Sequence, residues 1–414
     1  MMSQESQTSR RDFLATSAKV AAAAGVVWAA GCAQTRGPAL AVAKGPEPKP
    51  IEPGRPLRIG FIGVGGRGNN LLDEALTHQD VTIQAVADPD EANLTSTLGK
   101  IKKARGQTPE TYRGAEDYKK LLAREDIDAA MIAVPCHAHA ELYLAAFAAG
   151  RHFYGEKPMC IAVNEADALV EAQNRNPKVI CQIGFQRRGS AYYQEAMKRL
   201  HDGMIGEVFE GRGSWRLSGG PLGKPGTGTQ IWFGRRKMSG DWMLEQACHT
   251  WDVFCWAAGA MPLAAAGCGR RDIFKAMDPD RDVTDFYFAH LEFPKGLLVD
   301  FEHNWCCPRH DDHWRFNGVF ERFVGTKGGI GLSLWPPECS YYPREEEGKP
   351  TEIAPPGRGD ADATQSAVAR FFDSVRTGKP PVSGVKNGRM ATLTGLLVRK
   401  AVDENRRVEM KDLV

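Results

Sequence analysis

The stretch LRIGFIGVGGRG, residues 57–68, decides the fold. Leu57 to Val64, apolar apart from Arg58, has the composition of a buried parallel strand. It leads into Gly63, Gly65 and Gly68, a Gly-x-Gly-x-x-Gly turn, and then into a helix predicted from Asn69 to Thr77. In that setting Gly63 permits the tight turn, Gly65 lets backbone approach a pyrophosphate, and Gly68 packs helix against strand. The helix N-terminus faces the phosphate charge, with Gly66 and Arg67 in the same turn. A second apolar strand, Val81 to Ala87, ends in Asp88, 20 residues after Gly68. An acid there accepts from ribose hydroxyls and repels a 2′-phosphate, so NAD is expected and NADP is disfavoured. Asp88 also stands where a helix N-cap would, before Pro89, Asp90 and Glu91.

The alternation continues with helices from Asp90 and from Asp117 to Ala123, a strand from Asp128 to Val134, and a helix from Ala138 to Ala149. Strand His152 to Gly155 delivers Glu156-Lys157-Pro158, and Lys178 to Gly184 is another strand. Such alternation predicts an α/β Rossmann domain with a doubly wound parallel sheet, spanning 57–180. Its ligands lie beyond the strand C-termini, where Gly65, Asp88, Pro135 and Lys157 fall. After Gly184, strands follow one another without intervening helices, and Thr284 to Phe293 alternates with period two. This predicts an α+β C-terminal domain with a largely antiparallel open sheet over 181–414, with a surface excursion at 335–359.

A helix is predicted from Asp241 to Trp256, on which Glu245, His249 and Asp252 share one face. Ionisable groups on an otherwise apolar face are costly unless paired or functional, and a carboxylate can orient an imidazole that shuttles protons. Seven of the nine tryptophans lie between 215 and 314, suited either to stacking on sugar rings or to filling a core.

The 53 basic and 51 acidic residues leave a net charge of +2, so no basic excess points to nucleic acid. Residues 9–14, SRRDFL, precede an alanine-rich apolar segment, the order of a twin-arginine export signal over 1–31. AAGC (29–32) has the form of a lipoprotein site with Cys32 acylated, the alternative being cleavage after AVA (41–43). The stretch 44–56 has five prolines, so 32–56 reads as a tether. The expected location is the periplasm or a lipid anchor at the membrane. None of the ten cysteines forms Cys-x-x-Cys. Cys306 and Cys307 beside His303, His310 and His313 match no zinc spacing, so no metal is expected.

The motifs GVGGRG (63–68), AVADPD (85–90), the segment 116–158 ending in GEKP, QIGFQRR (182–188), EQACHTWD (245–252) and GTKGG (325–329) together resemble the Gfo/Idh/MocA family, typified by glucose–fructose oxidoreductase and inositol dehydrogenase. The resemblance runs from about residue 57 to the C-terminus. It implies that Lys157, with Glu156, lies beside nicotinamide and substrate, and that the loop carrying Pro135 and His137 supports the nicotinamide. It implies that His249 is the catalytic acid/base. Glu245 stands where the family has aspartate, and Arg187, Arg188 and Asp252 lie where substrate binds. It also implies a homodimer or homotetramer formed through the C-terminal sheet.

On this reading a secondary hydroxyl of a sugar or cyclitol loses its proton to His249 while its carbon gives hydride to tightly held NAD. Lys157 steadies the developing alkoxide. An NAD-dependent, redox-neutral glycosidase would use the same residues, and a non-catalytic sugar-binding lipoprotein would keep only the fold.

Overall fold

The computed structural model describes residues 39–414 apart from 219, 221–227, 309–316, 336, 346–349 and 356–358. The expected signal segment, Cys32, His310 and His313 lie outside the described residues.

The first layer follows the alternation read from the sequence. β1 (Leu57–Ile62), α1 (Gly66–Thr77), β2 (Val81–Ala87), α2 (Glu91–Arg105), β3 (Glu110–Tyr112), α3 (Tyr118–Ala123), β4 (Ala129–Ile132), α4 (His139–Ala148), β5 (His152–Gly155), α5 (Val163–Arg175) and β6 (Cys181–Ile183) succeed one another. All neighbouring strands are parallel, in the order β3-β2-β1-β4-β5-β6. The chain reverses direction across β1, so the strand C-termini open a crevice between β1 and β4. The sheet takes its sixth strand from 181–183, beyond the 57–180 boundary.

The second layer contains α6 (Ala191–His201), β7 (Val208–Ser218), α7 (Arg236–Ser239), α8 (Trp242–Glu245), α9 (Cys248–Ala258), β8 (Ala264–Arg270), β9 (Phe286–Glu292) and β10 (Leu298–Cys307). It continues with β11 (Gly318–Gly325), β12 (Gly328–Trp335), β13 (Pro337–Pro343), β14 (Thr351–Glu352), α10 (Asp360–Thr377), α11 (Val385–Glu404) and β15 (Val408–Glu409). Nine strands form one sheet, β14-β13-β12-β11-β7-β10-β9-β8-β15. Only β7 and β10 pair in parallel; the other neighbours are antiparallel. Period-two alternation sends Val299, Phe301 and His303 inward while Leu298 and Asp300 face out.

Three expectations change. The 335–359 excursion is not loop throughout: it supplies β13 and β14, which extend one edge of the sheet. The helix expected over 241–256 is broken at Gln246 and Ala247 into α8 and α9. Helix α10 is distant in sequence but packs Phe371 and Phe372 into the core formed by Leu57, Ile59 and Leu71 of the first layer.

The described part of the tether, 39–56, lies along the Rossmann layer. Gly45 N–H donates to Asn176 Oδ1 at 2.8 Å, Asn176 Nδ2 donates to the Ala43 carbonyl at 3.2 Å, and Arg55 pairs with Asp128 at 2.8 Å. Proline-rich chain cannot build a core, but its free carbonyls can be met by a neighbouring surface. Gly150, at φ +62°, is part of that fit, because a Cβ there would lie 2.1 Å from the Pro46 carbonyl oxygen. Gly150→Ala is expected to destabilise the fold by about 1–3 kcal/mol, the usual cost of forcing a side chain into a left-handed conformation. It should also release the strap, so that trypsin cleaves after Lys44 faster than in the parent protein. Unchanged melting and unchanged cleavage would show that the strap is not held at Gly150.

Candidate active site

The dinucleotide turn separates its glycines into two kinds. A Cβ on Gly63 would lie 2.4 Å from the Ala133 carbonyl oxygen, and one on Gly68 would lie 2.1 Å from that of Gly63. The fold itself therefore requires these two. A Cβ on Gly65 would meet only Asn93 Nδ2, at 3.7 Å, and one on Gly66 would meet nothing within 4 Å. Gly65 caps α1 without a side-chain hydrogen bond, leaving first-turn N–H groups to face that space. A pyrophosphate fits such a cradle in both shape and charge.

Asp88 accepts from Val64 N–H and from Asp90 N–H, each at 2.8 Å, and so closes the turn against the end of β2. The N-cap of α2 is Asp90 rather than Asp88, accepting from Ala92 N–H at 2.8 Å and Asn93 N–H at 3.2 Å. Arg67 pairs with Glu156 at 2.7 Å, tying the glycine turn to the end of β5. Pro135 opens a short 3-10 turn on which His137 is exposed. The neighbouring His139, not singled out from sequence, is buried between the carbonyls of Val134, 2.8 Å away, and Pro158, 2.6 Å away. It joins the loops after β4 and β5.

Lys157 reaches from the end of β5 to α8, where Nζ donates to Glu245 Oε1 at 2.8 Å and to the Glu245 carbonyl at 2.5 Å. Burial alone would favour the neutral amine, but the charge of the Glu245 carboxylate and its hydrogen bond raise the pKa above the ordinary lysine range. His249, on α9, stacks on Trp215, with centroids 5.9 Å apart and planes at 16°, and meets Phe185 edge-on. Burial, then the charges of Lys157, Arg187 and Arg67, push its pKa well below 6.5, so the ring is neutral at pH 7. Its Nδ1 is sealed from solvent with no partner among the described residues, which leaves Nε2 as the nitrogen open to a substrate.

The carboxylates expected to orient His249 are used elsewhere. Asp252 is taken by Arg188 Nε at 2.7 Å, and Glu245 by Lys157. The break between α8 and α9 takes Glu245 off the helix on which His249 and Asp252 remain three residues apart. Arg187 is buried, bonded to Glu321 and 3.3 Å from Thr250 Oγ1. Arg187, Arg188 and Asp252 thus brace the floor beneath His249. His303, considered beside Cys306 and Cys307, instead stacks on Tyr287 and Trp242 with centroids 5.2 and 5.8 Å away.

Residues 57–185 match the family described as "Oxidoreductase family, NAD-binding Rossmann fold", and residues 193–330 match the "GFO/IDH/MocA C-terminal domain". A "Glycosyl hydrolase family 109 protein" of Saccharopolyspora erythraea is 33% identical over 215 residues, 50% of this chain and 45% of that protein. A "scyllo-inositol 2-dehydrogenase (NAD(+))" of Bacillus subtilis is 28% identical over 216 residues, 52% of this chain and 58% of that protein. The chain spans about half the length of the curated relatives it matches. The fold is also that of scyllo-inositol dehydrogenase from Lactobacillus casei, solved with NAD(H) and scyllo-inositol. The likeness has a TM-score of 0.69 at 20% identity and covers 86% of this chain and 100% of that one. Levoglucosan dehydrogenase, solved with NADH and levoglucosan, gives a TM-score of 0.71 at 18% identity, again covering 86% of this chain and 100% of that one.

Four buried histidines predict how stability depends on pH. Burial lowers the pKa of His152 to about 4 and of His303 to about 3, and moves those of His249 and His139 in the same direction. Their unfolded counterparts take up protons near pH 6.5, so the unfolded state binds more protons below that value and acid favours it. Each histidine should cost up to about 1.4 kcal/mol per pH unit as pH falls from 6.5 toward its folded pKa. Thermal denaturation should give a lower Tm at pH 5 than at pH 7, and His303→Gln should flatten that slope. A flat profile would refute the burial of these rings as neutral bases.

Proposed function

Because the chain belongs to the Gfo/Idh/MocA oxidoreductase family, we propose that it oxidises a secondary hydroxyl of a sugar or cyclitol with tightly held NAD. The observation that carries this reading is the pairing of Lys157 with Glu245 beside a neutral His249, at the edge of the sheet where the dinucleotide turn opens. NAD, when bound, supplies a nicotinamide ring that accepts two electrons and a hydrogen from the substrate carbon. Gly63, Gly65, Gly66, Arg67 and Gly68 hold the pyrophosphate turn, and Asp88 meets the ribose. Lys157 Nζ holds the substrate oxygen and stabilises its negative charge as the proton leaves. His249 Nε2 accepts that proton, being neutral at working pH. Glu245 keeps Lys157 charged and aimed.

A redox-neutral glycosidase is the second reading, favoured by the glycosyl hydrolase name of the relative 33% identical to this chain. One experiment separates the two. The protein is purified without added nucleotide and what it releases is identified. Turnover is then followed with myo-inositol, scyllo-inositol, levoglucosan, glucose and aryl glycosides. NAD rather than NADP should be released, and a polyol should yield net NADH. Lys157→Met and His249→Asn should each lower kcat by about two to four decades while nucleotide is retained. Aglycone release without net NADH would select the glycosidase, and turnover of none of these compounds would overturn both readings.

We place the self-association of the chain on the outer face of the nine-stranded sheet, where Phe288 and Leu298 are 47% and 59% exposed. Export by the twin-arginine route with acylation of Cys32 completes the proposal and rests on the motifs at residues 9–14 and 29–32. Intact mass of the protein from the membrane fraction should correspond to a lipid-modified chain beginning at Cys32. A product beginning at Lys44 would reject the anchor.

A further inference from the structure

Gln246 lies in the break between α8 and α9 and has no part in the chemistry above. Its Oε1 accepts from Trp305 Nε1–H at 2.7 Å and lies 2.8 Å from His303 Nε2. An indole nitrogen can only donate, so the amide oxygen must face β10 and the amide nitrogen must be turned away from it. His303, buried and neutral, meets the same oxygen through Nε2, so its single proton sits there. Both lone pairs of Oε1 are then filled. Gln246 is half-buried, and its Nε2 has no bond to any described residue. What this residue presents outward is a pair of N–H donors and no acceptor.

Its neighbours in the chain and across the sheet carry the reacting groups. Glu245, one residue before, holds Lys157. His249 N–H donates to the Gln246 carbonyl at 3.2 Å. Trp215, which stacks on the His249 ring, is the cross-strand partner of His303. We propose that Gln246 is a specificity-determining residue whose amide donates to a second, accepting oxygen of the substrate. Trp305 and His303 are positioning residues that set the amide's direction. The inference rests on the polyol-oxidation reading and adds which chain group discriminates among polyols. A site that presents only donors selects for the position of an accepting oxygen, and a substrate that places that oxygen elsewhere leaves the amide unpaired.

The test uses the nucleotide-loaded enzyme with myo-inositol, scyllo-inositol, levoglucosan and glucose. Gln246→Leu should raise KM for the best substrate about tenfold or more, with a much smaller change in kcat. Gln246→Glu keeps an oxygen for Trp305 and His303 but puts an acceptor where the donors stood, and it should lose as much. Trp305→Phe keeps the ring but lets the amide turn over, so the ratio of kcat/KM between myo- and scyllo-inositol should collapse toward one. A packing defect would lower both substrates together and leave that ratio alone. If Gln246→Leu fails to fold, Gln246→Glu decides. Unchanged kcat/KM and an unchanged inositol ratio in a folded Gln246 variant would overturn the inference while leaving polyol oxidation standing. No turnover of any of the four by the parent enzyme would remove the reading beneath it.

Discussion

The Lys157–Glu245 ion pair is the contact on which the site depends. The lysine ends a strand of the parallel sheet, and the carboxylate ends a short helix of the second layer, 88 residues away. The two side chains are only 15% and 9% exposed, so neither charge has water to fall back on. Removing one partner of such a pair typically costs about 3–5 kcal/mol, because the other charge is left buried and uncompensated. The pair therefore clamps the C-terminal edge of the Rossmann sheet against the second layer, and it keeps a cation where an alkoxide would form. Arg67 and Glu156 repeat the device one residue earlier, linking the glycine turn to the same strand end.

Beneath this clamp the second layer holds a set of buried charges that cancel in pairs. Arg187 meets Glu321, Arg188 meets Asp252, and Arg281 meets Asp285. None of these carboxylates is bonded to His249. Burial first, and then the charges of Lys157, Arg187 and Arg67, disfavour the protonated ring, so its proton is driven off. A neutral ring against the face of Trp215 is ready to accept a proton, and its sealed Nδ1 directs that task to Nε2.

Much of the first layer was legible because its signals are local. The strand at 57–64, the glycine spacing and the acid at Asp88 lie within one strand–turn–helix–strand unit, and the structure forms that unit, with Asp88 closing the turn through Val64 N–H. Period-two alternation located β9 for the same reason. Strands β13 and β14 were hidden: prolines stand at both ends of β13, and β14 is a two-residue edge strand paired on one side only. The strap over 39–56 was hidden too: its bonds are met by Asn176 and Asp128, more than seventy residues away along the chain.

By itself, the sequence determined the Rossmann layer, the dinucleotide turn and the identity of the ionisable residues that gather at its edge. Backbone sterics and hydrophobic periodicity act over a few residues and leave their mark in residue order. Only the tertiary structure decided which charge meets which. Helical spacing put Glu245, His249 and Asp252 on one face. The break at Gln246 takes Glu245 off that face, Lys157 arrives from another domain to claim Glu245, and Arg188 claims Asp252. Side chains distant in sequence compete for the same carboxylate, and the burial that settles this exists only once the two layers are packed together.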